Sequence, residues 1–161
     1  MNLFGNDKKS HKVDEAHIHH HNDVILCQRV YLQQANRQWF DADAWRKQGA
    51  QVSEPSGGRG AAWFVTGQLP EGEPINWVLK HYRRGGLIAR WVKESYLWWG
   101  LDRTRAVAEF RTLQKLALAG VNCPTPVAAW VGYKRLTYRC ALITQRLVGA
   151  QTLVQLLAAQ V

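Results

Sequence analysis

Trp77-Val78-Leu79-Lys80-His81-Tyr82 is an apolar and aromatic run with one lysine set inside it, preceded by Pro74 and followed by Arg83-Arg84-Gly85-Gly86. Such a run reads as a β-strand, and an ammonium on its core side is costly unless an anion meets it. The next helical pattern supplies one. Between Ala106 and Ala119 apolar residues recur at Ala106, Phe110, Leu113 and Ala117, and Glu109 shares a face with Ala106, Leu113 and Leu116. A carboxylate there needs a cation as much as Lys80 needs an anion. The alternative places Lys80 on the solvent face of its strand and pairs Glu109 with Arg105 or Arg111.

Outward from this strand, residues 53 to 60, Ser-Glu-Pro-Ser-Gly-Gly-Arg-Gly, form the strongest turn signal in the chain. Glycines there let backbone N–H groups approach phosphate oxygens, because no Cβ stands in the way. Two strands follow, Ala61 to Thr66 and Ile75 to Tyr82, joined through Pro70, Gly72 and Pro74 as a hairpin with the glycine turn at its mouth. The helix from Ala106 has Asp102 or Thr104 as its cap and Gly120 as its terminator. Pro126 to Tyr133 and Tyr138 to Leu147 form a second β pair across Gly132-Tyr133-Lys134-Arg135. Earlier, Val24, Leu26, Val30 and Leu32 alternate as a strand or two, and residues 39 to 45 read as a short helix with an Asp at its start. Hairpins around one main helix make an α+β lobe. Residues 1 to 22 read as a polar, mobile tail, 23 to 147 as the lobe with a basic aromatic insert at 83 to 105, and 148 to 161 as a hinge and the start of a further lobe.

At 161 residues and 47% hydrophobic content, one core is expected. Charge divides unevenly: residues 1 to 77 hold 8 Lys/Arg against 9 Asp/Glu, while 78 to 161 hold 13 against 3. That localised excess points to an anionic partner, whether nucleotide phosphate, anionic lipid or nucleic acid. Cys27, Cys123 and Cys140 are widely spaced and odd in number, which argues against a disulfide framework or a zinc site and fits a reducing cytoplasm. His17, His19, His20 and His21 are read as a surface tract rather than a metal site. The N-terminus lacks the apolar stretch of a signal peptide and no run of about 18 apolar residues occurs, so neither export nor a membrane span is expected.

Gly58-x-Gly60-x-x-Trp63-x-Val65 resembles the protein-kinase loop G-x-G-x-x-G-x-V with its third glycine replaced, and Val78-Leu79-Lys80 resembles V-A-I-K. The finer resemblance is to the bacterial 3-deoxy-D-manno-octulosonic acid (Kdo) kinases, sugar kinases of the lipopolysaccharide core with a protein-kinase-like fold. It rests on Gln38-Trp39-Phe40-Asp41, Gly58-Arg59-Gly60, Leu79-Lys80-His81-Tyr82-Arg83-Arg84-Gly85-Gly86-Leu87-Ile88, the run from Tyr96 to Arg105, Ala108-Glu109-Phe110 and Pro124-Thr125-Pro126. It covers roughly residues 23 to 161.

The resemblance implies a kinase N-lobe that helps transfer the ATP γ-phosphate, with Mg²⁺, to the 4-hydroxyl of Kdo on a lipid A precursor, peripherally at the cytoplasmic face of the inner membrane. Lys80 would hold the α/β-phosphates and Glu109 would orient it. Gly58, Arg59, Gly60, Val65 and Val78 would surround the nucleotide, Thr144 would be the gatekeeper, and adenine would meet the backbone of Gln145 and Leu147. The departure at Trp63 alters part of the phosphate cradle. A catalytic base and metal ligands belong to a C-lobe beyond the hinge, and Gly149 to Val161 contains no Asp, Glu or His. Residues 1 to 161 alone are therefore expected to bind nucleotide weakly and to show no Kdo-kinase activity, with Leu153, Val154, Leu156 and Leu157 only partly covered.

Residues 83 to 105 interleave Arg83, Arg84, Arg90, Lys93, Arg103 and Arg105 with Trp91, Tyr96, Trp98 and Trp99. They read as an amphipathic helical segment facing an anionic membrane. Packing of the tryptophans onto the sheet is the competing reading, and single-stranded nucleic acid a third; nucleic acid is not among the expected partners. Two function classes stand: a lipid-linked sugar kinase lobe, and a non-catalytic basic module binding membrane or nucleic acid. Nucleotide protection against unfolding separates them.

Overall fold

The computed structural model describes residues 14–55, 61–82 and 96–147. The expectations placed on residues 1–13, on the glycine turn with Gly58, Arg59 and Gly60, on 83–95 and on 148–161 lie outside them.

The elements are β1 (Glu15–His20), β2 (Asp23–Gln28), two 3-10 turns (Arg29–Tyr31 and Arg37–Phe40), α1 (Ala42–Lys47), β3 (Gln51–Ser53), β4 (Ala62–Gln68), β5 (Pro74–His81), β6 (Tyr96–Leu97), a further 3-10 turn (Leu101–Arg103), α2 (Arg105–Leu118), β7 (Pro126–Lys134) and β8 (Thr137–Gln145). The strands join one antiparallel sheet in the order β1-β2-β7-β8-β5-β4-β3, with β6 paired to β8. The class is α+β, as expected.

Local chemistry explains the punctuation. Asp41 caps α1 by accepting from the Asp43 amide, and Trp39 and Phe40 lie in the 3-10 turn before that cap rather than inside the helix. Thr104 stands at the N-cap of α2, yet its hydroxyl donates to the Leu101 carbonyl at 2.7 Å instead of capping the helix. Gly120 ends the helix with φ +77°, a conformation that costs glycine little.

The sheet is covered on both sides. On one face Tyr31, Trp39 and Trp45 gather around Trp77, with ring centroids 4.9 to 5.9 Å from it, and the Trp45 indole N–H donates to the Trp39 carbonyl at 2.8 Å. Edge and tilted contacts of this kind suit the aromatic quadrupole. On the other face α2 seats Ala106, Val107 and Phe110, all at zero exposure, against Leu26, Ala129, Val131 and Leu142. Double coverage makes Val24, Ile25, Leu26 and Cys27 of β2 continuously buried rather than alternating. Past β2 the chain turns away, so Val30 is exposed instead of extending the strand. Burial raises the thiols of Cys27 and Cys140 to about 11, and all three cysteines are free.

One boundary needs correction. Glu15 to His20, expected inside a polar tail, form β1, paired with β2 through a turn at His21 with φ +51°. Ala16 and Ile18 turn toward the aromatic core while His17 and His19 lie on the opposite face, and His20 is exposed at the strand's end, so a polar sequence here marks an edge strand. Among the described residues no group of three His, Cys, Asp or Glu is placed to hold a metal.

β1 is fastened to α2 by charge. Arg111 donates to both carboxylate oxygens of Glu15, at 2.8 and 3.0 Å, and to Asp102 at 2.6 Å. The Arg111 hydrogen bond holds the Glu15 carboxyl below its ordinary 4.5, against the opposing effect of burial. A depressed carboxyl contributes stability that is present above its unfolded value and lost as pH falls through the folded one. Acid unfolding should therefore be steeper below about pH 5 in the native chain than in Glu15→Gln; parallel stability curves for the two would show that the clamp carries no such linkage.

Candidate active site

Lys80 lies near the end of β5, opposite Ala62 of β4 and Leu142 of β8. Its Nζ meets Glu109 of α2 at 3.0 Å (Oε1) and 2.9 Å (Oε2), closing the twenty-nine residues between them. The alternative partners of Glu109 are engaged elsewhere: Arg111 with Glu15 and Asp102, and Arg105 stacked 4.8 Å from the Tyr96 ring with its amide donating to the Tyr138 hydroxyl.

The pair is not buried, contrary to the expectation that Lys80 lies on a core side. Its side chains are 45% and 37% exposed, because α2 crosses the sheet so that Phe110 takes the centre and Glu109 the flank. Leu116, expected on the inward face with Glu109, is exposed for the same reason. A pair so open to water adds only about 0.2–1 kcal/mol to stability, so its chief effect is to hold an ammonium at a fixed point.

Tyr82, two residues past Lys80, completes the arrangement. Its ring lies 4.7 Å from Nζ and its hydroxyl donates to Glu109 Oε2. Burial, then the bond to Glu109, drives the Tyr82 hydroxyl pKa upward, so it stays a donor. The sequence reading missed this residue, although a period of two from Lys80 places it on the same face.

Cross-strand register sorts the remaining candidates. Ala62, Phe64, Val78, Lys80, Leu142 and Thr144 share one face of β4, β5 and β8. Val65, expected beside the nucleotide, is opposite Trp77 and 1% exposed in the aromatic core, so it lies on the other side of the sheet. The motif spacing was one residue off the pleat, and one residue inverts the face. Phe64, opposite Val78, stands where Val65 was expected, with the Arg146 guanidinium 3.9 Å from its ring. His81 also faces away, hydrogen-bonded to the Phe40 carbonyl at 2.8 Å with its ring on Trp63. Thr144 is half-buried, while Gln145 and Leu147 are exposed where β8 ends. The Gln145 amide donates to the Thr125 carbonyl at 2.8 Å, so this N–H is already engaged. An apolar strip that ends at a carboxylate-held ammonium suits a ligand with a flat, weakly polar part and a trailing anion.

Residues 42–161 match the family described as "Lipopolysaccharide kinase (Kdo/WaaP) family". Relatives named 3-deoxy-D-manno-octulosonic acid kinase include one from Photobacterium profundum, 39% identical over 136 residues (84% of this chain, 55% of the relative). One from Vibrio vulnificus is 43% identical over 118 residues (73% and 48%), and one from Stenotrophomonas maltophilia is 40% identical over 130 residues (81% and 49%). The chain thus spans about half the length of the curated relatives it matches. No solved structure matches.

Proposed function

We propose, for a chain that belongs to the lipopolysaccharide kinase (Kdo/WaaP) family, that residues 23 to 147 are the nucleotide-holding lobe of an ATP-dependent kinase acting on the 4-hydroxyl of Kdo on a lipid A precursor. The observation that carries this reading is the Lys80–Glu109 pair set on the same sheet face as Val78 and Thr144. Lys80 takes the α/β-phosphates, and Glu109 and Tyr82 keep its ammonium in place. Adenine lies against Ala62, Phe64 and Val78, beside Thr144, and meets the carbonyl of Gln145 and the backbone of Leu147. The kinase-like glycine motif assigns the phosphate loop to Gly58, Arg59 and Gly60. Because positioning and charge supply most of phosphoryl-transfer catalysis, an ammonium fixed in advance lowers the barrier without reorganising during the reaction.

The family implies Mg²⁺ as well. Among the described residues no acidic cluster fits it; its ligands and the group that orients the sugar hydroxyl are assigned to the other half of the relatives' length. We place the protein peripherally at the cytoplasmic face of the inner membrane, where the lipid-linked acceptor would be met. Among the described residues no helix is long and apolar enough to cross a membrane. Of the segment 83 to 105 assigned to this surface, residues 96 to 104 contain no α-helix: β6 takes Tyr96–Leu97 and a 3-10 turn Leu101–Arg103. Trp98 stacks on Tyr133 at 4.8 Å, while its neighbour Trp99 is 70% exposed and open to lipid.

Thermal unfolding with increasing ATP tests the nucleotide reading. A saturable rise in Tm is expected for the native chain, as for any ligand that binds only the folded state, and Lys80→Ala should abolish it. A rise of equal size in Lys80→Ala, or none in the native chain at millimolar ATP, would remove the site from this face.

A further inference from the structure

At the end of β8 remote from Thr144, the β7–β8 hairpin borders a cavity of about 510 Å³ whose lining includes Arg37, Lys134, Arg139, Asp23, Trp130 and Thr137. Three cations and one carboxylate face it, and the carboxylate is already engaged, with Asp23 Oδ1 accepting the Trp130 indole N–H at 2.9 Å. The Arg37 guanidinium lies over Trp130, 3.6 Å from the ring centroid. Its pKa is lowered, first by desolvation, and Arg139 adds like-charge repulsion that Asp23 and Asp41 oppose. Gly132 keeps the floor bare, since a Cβ there would sit 2.5 Å from Trp130 Cζ2 and 2.8 Å from Asp23 Oδ1. An anion here relieves the repulsion between Arg37 and Arg139 and gains charge-assisted hydrogen bonds.

The rim of this cavity is apolar and exposed. Leu136, in the turn between Lys134 and Thr137, is 76% exposed, and Leu97, the β6 partner of Thr137, is 56% exposed. The Trp98 amide donates to the Leu136 carbonyl at 2.8 Å, which ties the segment carrying Leu97 and Trp99 to the hairpin turn. Large apolar side chains beside cations are the composition of a surface that enters the interface of an anionic bilayer. We propose that this end of the sheet docks on a phospholipid membrane, the cavity taking a headgroup phosphate while Leu97, Trp99 and Leu136 enter the headgroup–acyl boundary. The proposal deepens the membrane part of the proposed function, and its test reads lipid binding with no nucleotide and no turnover, so each can fail alone.

The experiment is co-sedimentation of the chain with phosphatidylcholine vesicles, with and without phosphatidylglycerol, with glycerophosphate and inorganic phosphate as soluble arms. Binding should rise with phosphatidylglycerol and fall with salt. It should weaken about fivefold for each cation removed in Arg37→Gln and Arg139→Gln. Leu136→Ser should weaken vesicle binding while leaving any protection by soluble phosphate unchanged. Lys134→Gln, at an exposed position, serves if Arg37→Gln unfolds. Equal binding to neutral and anionic vesicles, or native-like binding by the charge variants, overturns the proposal. Protection by glycerophosphate without vesicle binding also overturns it, by making the cavity a site for soluble phosphates.

Discussion

Replacing Lys80 by Ala should lower phosphoryl transfer to Kdo by about 10²–10³-fold, the range for removing one preorganised charge-stabilising donor. The assay belongs in a full-length member of the family, at the lysine matching Lys80, with Kdo-lipid A precursor as acceptor. The fold should survive, because the Lys80–Glu109 pair is 45% and 37% exposed and its contribution to stability is screened by water. The loss should appear in kcat as well as in the apparent affinity for ATP, since a positioned ammonium acts on charge that develops during transfer. Near-normal kcat in a folded variant would sink the assignment. A matching Glu109→Gln change should give a smaller loss, because Tyr82 still offers its ring to the ammonium at 4.7 Å.

Phe110→Ala should cost about 3–5 kcal/mol, the range for emptying a fully buried aromatic site. Phe110 is completely buried between α2 and the sheet and lies next to Glu109 in the helix. Loosening it both opens a cavity and releases the carboxylate from Lys80. Urea unfolding measures the first effect, and loss of ATP protection in the surviving folded fraction the second. Leu118→Ala, 53% exposed on the same helix, is the control and should stay within about 0.5 kcal/mol of the native chain. A Phe110 variant no less stable than that control would mean that α2 is not seated as described.

Much of the lobe could be read from neighbours in sequence. The strand around Lys80, the hairpin before it, the helix from Arg105 to Leu118 and the β7–β8 pair lie within a residue or two of the bounds expected from apolar spacing, proline and glycine. These features depend on local dihedral preference and periodicity, which a short window of residues carries complete. The Lys80–Glu109 contact was also anticipated, although the pair is 45% and 37% exposed and the burial cost that suggested it is small.

What escaped the sequence depends on partners far along the chain. Val65 and Phe64 are both apolar, and the pairing of Val65 with Trp77 and of Phe64 with Val78 decides which one looks toward Lys80. Glu15 to His20 have the composition of a tail, and become a strand because β2 offers a free edge and Arg111, ninety-six residues away, holds Glu15. Trp98 and Trp99 are chemically alike and adjacent, yet Tyr133 covers the first and leaves the second to solvent. Composition and period state which residues want burial or a counter-charge. Register, strand order and the path of α2 across the sheet determine which of them obtain it, because those depend on contacts between segments whose order in space no local window records.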